Sequence, residues 1–384
     1  MASADQFGTG DDEPLEELFD SPKFQRDKIG LALSGGGYKA AAYHSGAFLR
    51  LNELGLLGRI SRVASVSGGS IAAGVLALHW KDLQFDGNGR AGNLRELVVE
   101  RLRDFLTEVN IDIPAGLAGL LLPFRSGADG VIKSYDEHLF HGSTLQDLKT
   151  EDDRTPRFVF LATNYELNSL WRFSKPYAAD YRVGMIENPR FPLAEIVAAS
   201  SAFPPFFCPV ELDFNGHKVM PTAGADRASG DFLKRALLAD GGVYDNMGLE
   251  PIVKRYGVLL ISNAGEAWNE TDHPKEWIGM LRRILGMIHR QAENNRQRLL
   301  MILARSGARK VAYWPLRNTA ARYPKPSEAV MDPADVARAQ AEDVRLWSLG
   351  AKAFDRLANH GYVLCDSAIR SYLSEVSAPA KLPF

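Results

Sequence analysis

The 384-residue chain has only two cysteines, Cys208 and Cys365. They lie far apart and fit no metal-ligand spacing, which argues against a disulfide framework or a zinc module and for two buried free thiols. Charge of one sign is missing as well: 45 Lys and Arg stand against 47 Asp and Glu, for a net charge of −2. A general binder of nucleic-acid polymers leaves a basic footprint, and none is present. No stretch approaches the roughly 18 consecutive apolar residues of a spanning helix. The opening residues, MASADQFGTGDDEPLEELFD, lack the basic and apolar regions of a secretory signal. The expectation is a cytoplasmic protein whose membrane contact is peripheral and occurs when it is active.

Internal repeats are absent, and no Pro-, Gly- or Ser-rich linker divides the chain after Lys28. The sequence therefore reads as a polar tail over 1–27, one domain over 28–375 and a short tail over 376–384. Hydrophobic content of 46 % with 24 % charged residues is ordinary for a globular protein, and the length suffices for a large core. Short apolar strands are predicted at 28–34, 62–67, 157–162, 235–240, 257–263 and 310–315. Helices are predicted at 38–54, 69–80, 94–109 and 275–304, and from Asp332-Pro333 down to Asn359–Gly361. Strands alternating with helices imply an α/β fold with a central, mostly parallel sheet and helices on both faces.

Three motifs follow strands. The first is Gly35-Gly36-Gly37, where glycine lets backbone approach a ligand and the N–H groups of a helix start face negative charge. Gly35, Gly37 and Ala40 also fit a dinucleotide fingerprint, but the second strand ends Ser65-Val66-Ser67, without the carboxylate that would hold a ribose. The second motif is Ser65-Val66-Ser67-Gly68-Gly69. A strand, a tight turn and a helix form a nucleophile elbow, with Ser67 on the turn and small residues at Ser65 and Gly69 letting strand and helix cross closely. An ordinary strand–helix turn reads the same way. The third is Asp240-Gly241-Gly242, either a carboxylate reaching across a cleft or an Asx-turn. In an open parallel sheet the carboxyl ends of strands line the ligand crevice, so the three together supply oxyanion donors, a hydroxyl and a carboxylate.

In this order, Ser34-Gly35-Gly36-Gly37-Tyr38-Lys39, Ser65-Val66-Ser67-Gly68-Gly69 and Asp240-Gly241-Gly242 resemble the patatin-like phospholipases. Ala162-Thr163-Asn164, Ala199 to Phe206, Asn246 and Gly361-Tyr362 look similar too, so the resemblance spans roughly 28–375. Ser65 and Ala40 depart from the family's glycines without removing a catalytic group. The resemblance implies the patatin three-layer fold and a lipid acyl-hydrolase of phospholipase A or lysophospholipase type. It also implies that Ser67 is the nucleophile, that Asp240 takes its proton directly, and that the Gly35–Gly37 loop is the oxyanion hole. Lys39 is read either as a contact for an anionic headgroup or as a cap on the loop. No cofactor and no metal are expected.

A Ser-His-Asp triad is the natural rival. His44 lies two helical turns beyond the glycine loop, His79 ends the second helix, and His138 and His141 have no third ligand; all read as structural or surface residues. The apolar segment 111–124 is either a lid over an acyl cleft or core. Three other functions share parts of the pattern: an esterase for small acyl esters or neutral lipids, a Rossmann-type nucleotide-binding protein, and an antiphage effector phospholipase. The last is allowed by the resemblance, since some bacterial relatives are switched on by a small-molecule activator, a cyclic nucleotide.

Overall fold

Alternation along the first strand sets the layers. In β1 (Gln25–Leu33), Ile29, Leu31 and Leu33 enter one apolar cluster and Ala32 enters another on the opposite face. A strand covered on both faces belongs to a sheet between two helix layers, and β1 lies inside it, paired on both edges. The computed structural model describes residues 24–111, 126–149, 155–204, 207–265, 276–373 and 378–384. The other strands are β2 (Ile60–Ser65), β3 (Arg157–Asn164), β4 (Ser169–Phe173), β5 (Tyr177–Asp180), β6 (Gly184–Glu187), β7 (Val210–Asp213), β8 (Arg235–Asp240), β9 (Tyr256–Asn263) and β10 (Lys310–Pro315). The sheet runs β10-β9-β1-β2-β3-β4-β5-β6, and its body from β10 to β3 is parallel.

The helices are α1 (Gly37–Glu53), α2 (Gly68–His79), α3 (Arg101–Glu108), α4 (Ser126–Tyr135), α5 (Leu193–Ser200), α6 (Gly242–Asp245), α7 (Glu250–Val253), α8 (Trp277–Arg305), α9 (Pro333–Gln340) and α10 (Ala351–Tyr372). Tyr43 and Phe48 of α1, Ile71 and Leu76 of α2, and Leu357 and Leu364 of α10 share the larger cluster. Ile252 of α7 with Leu300 and Leu303 of α8 close the other face over Ala32, Ala64 and Ile261. This is the expected α/β fold, with helices on both faces of the sheet.

Three features depart from the sequence reading. Beyond β3 the sheet continues antiparallel through β4, β5 and β6, and β8 runs antiparallel to both β3 and β7. The helical stretch after Asp332 is broken, with α9 and α10 separated by an irregular segment over 341–350. Gly361 does not end α10: a Cβ there would lie 2.0 Å from the Tyr43 carbonyl oxygen, so the glycine lets α10 cross α1. Of the apolar segment 111–124, only Ile111, buried, falls within the described residues.

Candidate active site

Register explains how a serine and an aspartate 173 positions apart meet. β2 pairs with β3 from Arg62↔Arg157 to Ser65↔Phe160. β8 pairs with β3 from Asn164↔Leu238 to Ala162↔Asp240, while β4 holds Phe160–Asn164. A strand has two edges, so β2 and β8 must share the one that β4 leaves. They enter it from opposite directions and end two residues apart. The expectation that Asp240 sits at the carboxyl end of a parallel strand is therefore corrected: it arrives head-on against the end of β2.

Ser67 lies just past β2 with φ 52° and ψ −122°, a conformation that costs a non-glycine residue energy. The turn is locked from both sides. Ser67 N–H donates to Ser200 Oγ at 3.0 Å, and Ser67 C=O accepts from Ser70 and Ile71 N–H at 2.7 and 3.1 Å. Val66 N–H donates to Leu33 C=O at 3.1 Å, tying the elbow to β1. Only glycine fits at the next two positions, because a Cβ on Gly68 would stand 2.0 Å from the Gly37 carbonyl oxygen and one on Gly69 2.4 Å from that of Leu33.

The Ser67 side chain lies close enough to the Asp240 carboxylate to favour its ionised form, and Asp240 Oδ1 accepts the Gly242 N–H at 2.6 Å. Ser67 is 6 % and Asp240 3 % exposed. Burial pushes the Asp240 carboxyl up from 3.8 to about 6, and the Gly242 N–H and the neighbouring Ser67 side chain oppose that rise. The result is a carboxylate still ionised at neutral pH and more basic than usual.

Facing this pair is the glycine loop, with φ 143° at Gly36 and 61° at Gly37. The flanking donors are occupied: Gly35 N–H binds Asn246 C=O at 3.1 Å and Tyr38 N–H binds Arg345 C=O at 2.8 Å. Among the described residues no protein acceptor takes the N–H of Gly36 or Gly37. Gly35, expected as a third oxyanion donor, is thus committed elsewhere, and its contribution is space. A Cβ on Gly35 would lie 2.4 Å from Asn246 Oδ1 and 3.1 Å from Ser67 Cβ.

A strained serine, a basic carboxylate and two free backbone donors form an acyl-transfer constellation. The family model for the patatin-like phospholipases matches residues 31–253, more than half of the chain. The chain belongs to the patatin-like phospholipase family. A search of curated proteins finds no match. Human GIVD cytosolic phospholipase A2 shares the fold with a TM-score of 0.54 at 13 % identity, covering 94 % of this chain and 62 % of that one. The same human protein in complex with methyl gamma-linolenyl fluorophosphonate gives 0.52 at 14 %, covering 94 % and 61 %. The chain thus spans about 62 % of the length of that neighbour.

Within this patatin-like site the residues outside the three motifs also find places. Lys39, read as a headgroup contact or a loop cap, is buried, 2 % exposed, and engaged within the protein. Ser65, where the family has glycine, is buried and accepts from Ser70 Oγ at 3.0 Å, so its hydroxyl is absorbed under the elbow. His44 is held between Ser262 Oγ at 2.7 Å and Ser34 C=O at 3.0 Å, and burial lowers its pKa to about 4. His79 and His138 line a cavity of about 200 Å³ together with Val75 and Phe105; neither Ser67 nor Asp240 borders it.

Two further residues figure in the sequence only as part of the resemblance, without a role. Ser200 ends α5, donates to Leu161 C=O at 2.7 Å and receives the Ser67 N–H; Ser70 Oγ lies 2.9 Å away. Asn246 packs its side chain between Gly35 and Gly242 while its carbonyl receives the Gly35 N–H. Both stood in segments that look like the family, Ala199 to Phe206 and the residues after Asp240, and that resemblance was the available signal.

Proposed function

We propose that this protein is a lipid acyl-hydrolase of phospholipase A or lysophospholipase type, cleaving carboxylic esters of membrane lipids with Ser67 as nucleophile and Asp240 as base. Ser67 Oγ attacks the ester carbonyl carbon and its proton passes to the Asp240 carboxylate. The negative charge that develops on the carbonyl oxygen is met by the N–H groups of Gly36 and Gly37, with the start of α2 adding a favourable dipole. The leaving alcohol departs with the proton from Asp240, and the acyl group stays on Ser67. Water then attacks the acyl-serine, again giving its proton to Asp240, which passes it to Ser67 Oγ as the acyl–serine bond breaks and the fatty acid leaves. The protein acts in the cytoplasm and touches membrane peripherally to reach its substrate.

The observation that carries this reading is the Ser67 side chain set beside a buried, basic Asp240 at the meeting ends of β2 and β8. A hydroxyl needs an adjacent base, and here a carboxylate occupies the place that histidine holds in a triad. The test is a fluorophosphonate probe, the chemical class bound in the complex of the human neighbour. It should label Ser67 and no other serine, and Ser67→Ala should abolish both labelling and ester hydrolysis. Peptide mapping that put the adduct on Ser65, or found none on active protein, would overturn the assignment.

A further inference from the structure

The 29-residue helix α8 has two unlike halves. Its second half is clamped to the site. Glu293 accepts from Asn263 Nδ2 at 2.6 Å, Arg296 pairs with buried Asp245 at 3.0 Å, and Leu300 and Leu303 pack on the sheet. The first half turns its apolar side outward. Trp277, Met280, Leu281, Ile284, Leu285 and Ile288 recur at helical spacing and are all exposed, Trp277 by 69 % and Ile288 by 60 %. Gly286, on the far side of the same helix by that spacing, is buried. An amphipathic helix of a globular protein normally buries its apolar stripe, so this one is inverted.

Charge indicates what the stripe meets. From Trp277 to Arg290 the sequence WIGMLRRILGMIHR contains three arginines and no Asp or Glu, within a chain of net charge −2. By the same spacing the arginines fall on the side of Gly286, opposite the stripe, which is where an interfacial helix carries its basic residues. An anionic lipid surface supplies both the apolar phase and the opposite charge, and a basic amphipathic helix lying in the membrane interface has this composition. We propose that the first half of α8 is the membrane-docking element, seating its apolar stripe in anionic lipid. This deepens the lipid-hydrolase reading and rests on it, because the same helix grips, through Glu293 and Arg296, the end of β9 and the helix α6 that follows Asp240.

Sedimentation with vesicles tests it, using Ser67→Ala protein so that the lipid survives. That protein should bind vesicles of phosphatidylcholine with phosphatidylglycerol and bind phosphatidylcholine alone more weakly. Adding Leu281→Glu with Ile288→Glu should weaken partition at least about tenfold, since each change withdraws an apolar side chain from lipid. On the catalytically intact chain the same pair should leave hydrolysis of a soluble short-chain ester unchanged while vesicle hydrolysis falls with binding. A milder pair, Leu281→Ser with Ile288→Ser, repeats the comparison if the glutamates disturb folding. Equal partition of variant and parent, or no vesicle binding by the parent, would overturn the proposal. So would a dimer that the variant converts to monomer. Failure of the hydrolase reading would look different: neither ester would be cut, while the sedimentation result would stand.

Discussion

In the proposed mechanism Asp240 is where catalysis and stability pull apart. Its carboxyl is more comfortable protonated in the fold than in the unfolded chain, so the stabilisation from holding that proton is full below about pH 4 and lost as pH rises through about 6. The shift from 3.8 to about 6 corresponds to on the order of 3 kcal/mol. Asp240→Asn removes that cost while keeping the shape and an acceptor for Gly242 N–H. The variant should melt higher than the parent at pH 8, and the gap should close toward pH 4. Its kcat should fall by roughly 10²–10⁴, the usual value of general-base assistance. The parent's kcat should in turn decline below an apparent pKa near 6, as the base is protonated. A purely structural Asp240 would give the opposite pair of results: earlier melting and near-normal kcat in the folded fraction.

At the scale of elements, α1 carries the glycine loop and depends on α10 for its place. The two cross so closely that a Cβ on Gly46 would stand 1.7 Å from the Ala358 carbonyl oxygen, and Arg50 of α1 pairs with Asp366 of α10 at 2.7 Å, both fully buried. Gly46→Ala should therefore cost at least about 2 kcal/mol, because backbone cannot yield as a side chain would. Thermal melts of this variant beside an alanine at exposed Gly92 check the claim; equal midpoints would refute it. Gly361 shows why such crossings are hard to read from sequence. Its glycine signals a helix end by local propensity, while the reason for it lies 318 positions away at Tyr43. The elbow and the glycine loop were legible because their constraints are local. The head-on meeting of β2 and β8 was not, since strand direction is set by pairing with β3, and no residue of Arg235–Asp240 records it. Ser200 was opaque for the same reason: its partner Ser67 is 133 positions away.

Across the whole molecule, the family match and the folding unit do not coincide. The match ends at Val253, yet β1 is paired along Ile29–Leu33 by β9, which begins at Tyr256. The loop after β9 lies against Gly36, whose Cβ position is 2.8 Å from the Ala264 carbonyl oxygen, and Arg345 C=O takes the Tyr38 N–H. The site thus borrows backbone from two segments beyond the motif-bearing region. A chain ended after Val253 would expose one edge of β1, strip the sheet face that α8 covers, and remove α10 from α1. Each loss is large against the roughly 5–15 kcal/mol that holds a domain together. Such a truncation should aggregate or remain unfolded, and it should fail to react with a fluorophosphonate even where Ser67, Asp240 and all three glycines are present. Labelling and circular dichroism on the soluble fraction provide the measurement. A cooperatively folded, probe-reactive 1–253 fragment would show that the oxyanion loop needs no help from Ala264 and Arg345. The dyad motifs would then be sufficient for the site by themselves.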